Sequence, residues 1–262
     1  MRKLNQRVAI ITGGGTGIGR SIALEFAKEG ADVVIVAEPA AESLLKETAS
    51  EINSIGRKSL SIVADLSNPN EPLKMVNRTL EKFHKIDVLV NNAGIEGPTA
   101  NVADMDLEAW NQVLAVNLTG TMLCCKHVLK SMIAHRSGII INISSGIGRR
   151  AVGLRSPYAA SKWGVIGLTQ SLAWEVGKYG IRVNCIAPGP VEGERIERVL
   201  RERSQVLGIT FEELVERRRA ESPLHRLVKS EEVAALAVFL ASEQSSGITG
   251  QTINCSAGIY MN

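Results

Sequence analysis

Short runs of β-branched residues alternate with longer stretches of helical periodicity along most of this chain, and that rhythm leaves few folds open. The strand-like runs are residues 8–12, 33–36, 60–63, 88–90, 139–143, 181–186 and, more weakly, 252–254. The first several are continuously apolar, as strands are when both faces of a parallel sheet are covered. Between them the pattern predicts helices over 17–29, 40–55, 70–84, 107–134 and 157–178. Repeated β-α units with right-handed crossovers predict a single-domain α/β fold over residues 1–262. Its expected form is a Rossmann-like, doubly wound parallel sheet of about seven strands with helices on both faces. A chain of 262 residues with 45% hydrophobic content can build one core of that size.

The rhythm stops over 192–222. Glu192 to Arg219 holds seven acids and seven arginines, with helical patterning around Gly208. A solvated helix pair laced with ion pairs would explain the composition. Its position after the sixth strand favours a substrate lid instead, because ligands of such sheets bind beyond the carboxyl ends of the strands.

Bulk properties narrow the function classes. A net charge of +3 gives no field suited to nucleic acid or an anionic membrane. Cys124, Cys125, Cys185 and Cys255 form no CxxC pair and no metal-ligand spacing, so neither a metal nor a disulfide is expected. Cys124 and Cys125 read as small buried hydrophobes. With no apolar leader and no run of membrane-spanning length, the expected location is cytoplasmic.

The first predicted strand runs into Thr12-Gly-Gly-Gly-Thr-Gly-Ile-Gly19 and then into helix. The dinucleotide fingerprint G-x-G-x-x-G is out of register, and G-x-x-x-G-x-G from Gly13, Gly17 and Gly19 stands in its place. The physics is shared: glycines let the backbone turn and approach a pyrophosphate seated on the positive end of a helix. Gly13, Gly15, Thr16, Gly17, Ile18 and Gly19 are therefore candidate cofactor residues. At the end of the second strand Glu38 supplies a carboxylate, and neither Lys nor Arg occurs between Gly30 and Lys46. A carboxylate there accepts the ribose hydroxyls of NAD and repels the extra phosphate of NADP, so NAD is the expected cofactor. Glu38 stands one residue later than the usual acid position, Ala37, and the alternative is that it faces solvent.

Downstream, Pro157 suits the first turn of a helix that carries Tyr158 and Lys162 one turn apart on one face. A phenol is a poor base at neutral pH. An adjacent ammonium favours the phenolate and brings it towards the working range. Ser145, ending a predicted strand, would hydrogen-bond the substrate oxygen. Proton exchange by this set, beside a dinucleotide turn, describes a redox enzyme.

These motifs, with Asp65-Leu66, Asn91-Asn-Ala-Gly94, Asn117 and Pro188-Gly189, make the chain resemble the short-chain dehydrogenase/reductase superfamily in its c-type, 3-oxoacyl-reductase-like form. The resemblance covers essentially the whole length. It implies a catalytic tetrad of Asn117, Ser145, Tyr158 and Lys162, with Asn117 supporting a water-relayed proton path to Lys162. It implies that Asp65 and Leu66 meet the adenine, that Asn92, Ala93 and Gly94 line the cofactor channel, and that Pro188, Gly189 and Val191 face the nicotinamide. Tyr158 and Lys162 join the cofactor set. A homotetramer built partly on the helices near 107–134 and 157–178 is also implied. One departure is Gly193, where many relatives carry a threonine that touches the nicotinamide amide.

Between Ser145 and Tyr158 lie Arg149, Arg150 and Arg155 with no acid among them. They would bind a carboxylate, sulfonate or phosphate of the substrate, or else acids of a neighbouring subunit, or face water. The expected reaction interconverts a secondary alcohol and a ketone on a small-molecule substrate. Reduction of a 3-oxoacyl thioester on an acyl carrier protein is the alternative. A non-catalytic dinucleotide-binding regulator is a remote third, since the Ser/Tyr/Lys set is intact.

Overall fold

The computed structural model describes residues 2–261. Seven strands, β1 (Val8–Thr12), β2 (Asp32–Ala37), β3 (Ser59–Val63), β4 (Val88–Asn91), β5 (Gly138–Ile143), β6 (Ile181–Pro188) and β7 (Thr252–Cys255), form one sheet in the order β3-β2-β1-β4-β5-β6-β7. Every pairing is parallel. The doubly wound sheet is therefore present as predicted, with its strand order reversing between β1 and β4, where such sheets open a ligand crevice.

The helices are α1 (Gly17–Lys28), α2 (Glu42–Ser54), α3 (Glu71–Phe83), α4 (Leu107–Leu114), α5 (Thr121–His135), α6 (Ser156–Val176), α7 (Glu194–Leu207), α8 (Phe211–Ala220) and α9 (Ser230–Ala241). Strand residues alternate faces, so each strand feeds two cores. Ala9, Ile11, Val88, Val90 and Ile141 join Ile22 and Phe26 of α1 and Val233 and Ala237 of α9. Ile10, Leu89 and Ile140 face the other way, against Met75 of α3, Val128 and Met132 of α5 and Leu172 of α6. Cys124 and Cys125 lie in this second core, and burial raises both thiols, that of Cys125 to about 12. Inert small hydrophobes fit that setting.

The helix expected over 107–134 is interrupted. Residues Ala115–Gly120 form a π-helical turn between α4 and α5, with Asn117 inside it. Gly120 allows this crossing: a Cβ there would lie 2.7 Å from the Leu66 carbonyl oxygen.

The charged excursion folds as α7 and α8, and its return stretch rejoins the body beside its departure. Val191 bridges Val228, the Glu192 amide donates to the Val228 carbonyl at 2.9 Å, and the Val228 amide donates to Pro190 at 2.9 Å. The return stretch is strapped to the chain after β7, with the Ser222 hydroxyl donating to the Ala257 carbonyl at 2.7 Å. The start of α7 requires Gly193, whose φ of 130° is closed to a threonine without strain. The family's threonine is thus replaced where the excursion turns into helix.

Candidate active site

The carboxyl ends of β1, β4 and β5 carry the site. Thr12, last in β1, uses its hydroxyl to receive the amides of Asn92 and Ala93, each at 3.0 Å. The Asn92 carboxamide donates back to the Thr12 and Gly13 carbonyls at 3.0 and 3.2 Å. This reciprocal latch holds the glycine turn against Asn92-Ala-Gly94. Gly13 and Gly17 adopt positive φ, and a Cβ on Gly19 would sit 2.0 Å from the Gly13 carbonyl oxygen. Thr16 starts α1 without capping it through its side chain. The first-turn amides are therefore free for an anion, which is the chemistry a dinucleotide pyrophosphate needs. Glu38 leaves the end of β2 exposed to solvent, and Asp65, past β3, accepts from the Ser67 amide and hydroxyl at 2.9 and 2.7 Å.

Tyr158 and Lys162 rise on α6 beside the end of β5. The Lys162 ammonium donates to the Ile143 carbonyl at 2.8 Å and stands 5.7 Å from the centre of the Tyr158 ring. Ser144, next to Ser145, ties its hydroxyl to the Lys162 carbonyl at 2.8 Å, fastening helix to strand. Burial pushes the Tyr158 phenol up, but the Lys162 ammonium, the Arg195 guanidinium, a hydrogen bond from Ser145 and the charge of Arg155 pull it down and prevail. Burial holds the Lys162 ammonium below its usual range, against the opposing pull of Tyr158. A phenol and an ammonium so shifted are brought towards the range in which proton exchange at neutral pH is easiest.

Asn117 is fully buried, and its carboxamide is wholly engaged. It receives the Ile95 amide at 2.8 Å and donates to the Ile95 carbonyl at 2.9 Å and the Ser161 hydroxyl at 3.1 Å. The π turn thereby clasps the loop after β4 to α6, consistent with the habit of π bulges to occur at functional sites. A Cβ on Gly94 would lie 3.0 Å from the Asn117 Oδ1 and 3.5 Å from the Lys162 Nζ, so glycine keeps the channel wall open.

Residues 13–260 match the family described as Enoyl-(Acyl carrier protein) reductase. A short-chain dehydrogenase/reductase of Armillaria gallica is 40% identical over 254 residues, covering 97% of this chain and 95% of the relative. The chain belongs to the short-chain dehydrogenase/reductase superfamily. A 3-oxoacyl-[acyl-carrier-protein] reductase of Synechocystis sp. is 37% identical over 265 residues and all of both chains. Among solved structures, NAD⁺-bound xylitol dehydrogenase superposes with a TM-score of 0.94 at 29% identity, covering 98% of this chain and 100% of that one. An actinorhodin polyketide ketoreductase with NADPH gives 0.92 at 34% identity, covering 99% of each. The chain is thus an NAD(P)-dependent oxidoreductase of this superfamily.

Within this short-chain dehydrogenase/reductase the three arginines between Ser145 and Tyr158 do not stay together. Arg149, expected near the substrate, turns away and hydrogen-bonds the Thr252 carbonyl of β7. Arg150 is exposed, beside Glu221, Pro223 and Tyr260. Arg155 alone remains at the centre, 3% exposed, with its guanidinium 5.2 Å from the Tyr158 ring centre. Pro188 ends β6, and the Gly189 amide donates to the Cys255 carbonyl at 2.9 Å, placing Val191 at the base of the excursion.

Other contributors carry no local sequence signal. Glu96 receives Arg195 at 2.6 Å and Arg198 at 3.2 Å, joining the loop after β4 to α7. Beneath the site, Asn91 donates to Asn142 at 2.9 Å and Asn142 to the Thr169 hydroxyl at 2.9 Å, a buried polar chain across β4, β5 and α6. Tyr260 closes the back of the Ser145 turn: a Cβ on Gly146 would fall inside its ring. No helix among the described residues is long and apolar enough to cross a membrane.

Proposed function

We propose that this enzyme interconverts a secondary alcohol and a ketone on a small anionic substrate, with NAD as the preferred partner. The observation that carries the reaction is the placement of Tyr158 and Lys162 one turn apart on α6 beside the end of β5, the ammonium 5.7 Å from the ring centre, with the phenol drawn below its ordinary value. When bound, the nicotinamide supplies the hydride acceptor or donor. Tyr158 takes the hydroxyl proton in oxidation and returns it in reduction, Ser145 holds the substrate oxygen, and Lys162 stabilises the phenolate. Asn117 acts by position, holding Ile95 and Ser161 so that the loop after β4 and α6 keep their spacing. Glu38, with no base nearby in sequence, supports NAD over NADP. Arg155 supports the anionic substrate, because a guanidinium keeps its charge on burial and finds a natural partner in a carboxylate, sulfonate or phosphate. The α7–α8 excursion acts as the lid. Exposed Trp163 and Trp174 on α6 suit a face buried in a homotetramer.

Reduction of a 3-oxoacyl thioester is the second reading, favoured by the likeness to the Synechocystis reductase. Turnover of hydroxy acids and of neutral polyols with NAD⁺ or NADP⁺, followed at the nicotinamide absorbance, tests both. Oxidation confined to hydroxy acids with NAD⁺ is expected. Silence there with NADPH-dependent reduction of a 3-oxoacyl thioester would establish the alternative. Tyr158→Phe should lower kcat by at least about 1,000-fold while leaving cofactor binding within about 2-fold, and residual activity near 10% of the parent would refute the proton role.

A further inference from the structure

Ser145 caps a single 3₁₀ turn, Gly146–Gly148, its Oγ receiving the Ile147 amide at 3.2 Å. Neither glycine has a positive φ, so neither is there for backbone freedom. Each is there for room. A Cβ on Gly148 would lie 2.5 Å from the Ser144 hydroxyl and 2.9 Å from the Lys162 carbonyl oxygen, which seats that end of the turn on α6. A Cβ on Gly146 would fall among the ring atoms of Tyr260, 2.5 Å from Cζ and nearer still to Cε2. The turn that carries Ser145 is thus packed on α6 through one glycine and on an aromatic ring through the other.

The ring projects from an anchored backbone. The Tyr260 amide donates to the Ser256 hydroxyl at 3.2 Å, and the Asn254 carboxamide of β7 donates to the Tyr260 carbonyl at 3.2 Å. Between these residues the chain is strapped to the return stretch of the excursion. The Ser222 hydroxyl meets the Ala257 carbonyl at 2.7 Å, and a Cβ on Gly258 would lie 2.8 Å from the Pro223 ring. A lone 3₁₀ turn has strained hydrogen-bond geometry and little stability of its own, so its packing decides how firmly it stays formed.

We propose that Tyr260 is a positioning residue for the reaction, its ring buttressing Gly146 and so holding the Ser145 hydroxyl aimed at the substrate oxygen. The proposal rests on the role given to Ser145 above and adds to it the side chain that fixes its direction. A loosened turn costs orientation rather than cofactor affinity, because the glycine turn of 13–19 lies on other elements. It also weakens the Ser145 hydrogen bond that helps draw the Tyr158 phenol down, so the oxidative limb of the pH profile moves to higher pH.

Tyr260→Ala removes the ring and keeps the backbone bonds that anchor the segment. The whole enzyme is assayed on whichever hydroxy acid, polyol or 3-oxoacyl thioester the parent turns over. The variant should lower kcat about 10-fold or more, with KM for the nicotinamide cofactor within about 2-fold and the pH limb raised. Hydrogen exchange of the Gly148, Arg149 and Arg150 amides, which close the turn onto Ser145 and Gly146, should quicken about 10-fold or more. Tyr260→Phe, which keeps the ring, should restore all three readouts. Gly146→Ala presses on the same contact from the other side and should also lower kcat. Combined with Tyr260→Ala it should be no worse than Tyr260→Ala alone, since the clash is gone. Tyr260→Leu, which lacks the flat ring, carries the same comparison if the alanine variant does not fold. If Ser145→Ala stops turnover while Tyr260→Ala leaves kcat and exchange within about 2-fold, the buttress is overturned and the role of Ser145 stands. Equal losses in Tyr260→Phe and Tyr260→Ala would assign the effect to the hydroxyl and overturn it too. If Ser145→Ala keeps the parent's kcat, the reading of Ser145 falls and the proposal with it.

Discussion

Replacing Asn117 with alanine separates scaffolding from chemistry at this site. The carboxamide makes three hydrogen bonds, at 2.8, 2.9 and 3.1 Å, to the Ile95 amide, the Ile95 carbonyl and the Ser161 hydroxyl. Each such bond contributes about 1 kcal/mol net, and a buried group left unpaired costs about 1–3 kcal/mol more. Ile95 is half-buried, so its orphaned amide and carbonyl are only partly rescued by solvent, while the fully buried Ser161 hydroxyl keeps its bond to the Tyr158 carbonyl at 2.8 Å. The expected loss is about 4 kcal/mol, a large part of the ~5–15 kcal/mol that stabilises an ordinary domain. For a chain of this size that corresponds to a fall in Tm of roughly 8–16 °C. Calorimetric unfolding of the cofactor-free enzyme measures it. Asn117→Asp should fall as well, since it keeps the acceptor for the Ile95 amide but replaces both donors with a buried charge facing the Ile95 carbonyl. A Tm within 2 °C of the parent's, together with a collapse of kcat, would refute the positioning argument and leave the residue only its relay role (2 °C being less than ~1 kcal/mol here).

The pH dependence follows from the phenol. Oxidation requires the Tyr158 phenolate, so kcat in that direction should rise with pH along a limb below pH 10, the ordinary tyrosine value. Reduction requires the neutral phenol and should be lost through the same limb. Lys162→Met removes the foremost downward pull and Arg195→Met the next, so both limbs should move to higher pH; a limb unmoved in both variants would contradict the assignment. For cofactor choice, Glu38→Ser should lower the ratio of kcat/KM with NAD⁺ to that with NADP⁺ by about 10-fold or more, the effect of removing one like charge at close range. An unchanged ratio would show that Glu38 does not meet the cofactor ribose.

Much of this was legible in the sequence because the signals are local. Alternating β-branched runs mark strands whatever surrounds them, and the glycines of 13–19 and the one-turn spacing of Tyr158 and Lys162 are written in consecutive residues. The excursion at 192–222 was visible as a break in that rhythm. The split of the helix over 107–134 was not, because a π turn changes one register of backbone bonds without changing apolar periodicity. The three arginines before Tyr158 looked equivalent, since a loop of unknown path gives no directions to its side chains. Folding sends Arg149 to β7, leaves Arg150 in solvent and buries Arg155 over the phenol.

Fold class and the one-turn spacing of Tyr158 and Lys162 were thus decided by short-range pattern, which is set by the two- and 3.6-residue periods of the backbone. Partners far apart in sequence were decided only by the tertiary structure. Glu96 meets Arg195 because the sheet order and the Val191–Val228 bridge bring the loop after β4 and α7 over one edge. Electrostatics acts through space, so the charges that draw the Tyr158 phenol down come together only when the chain has closed.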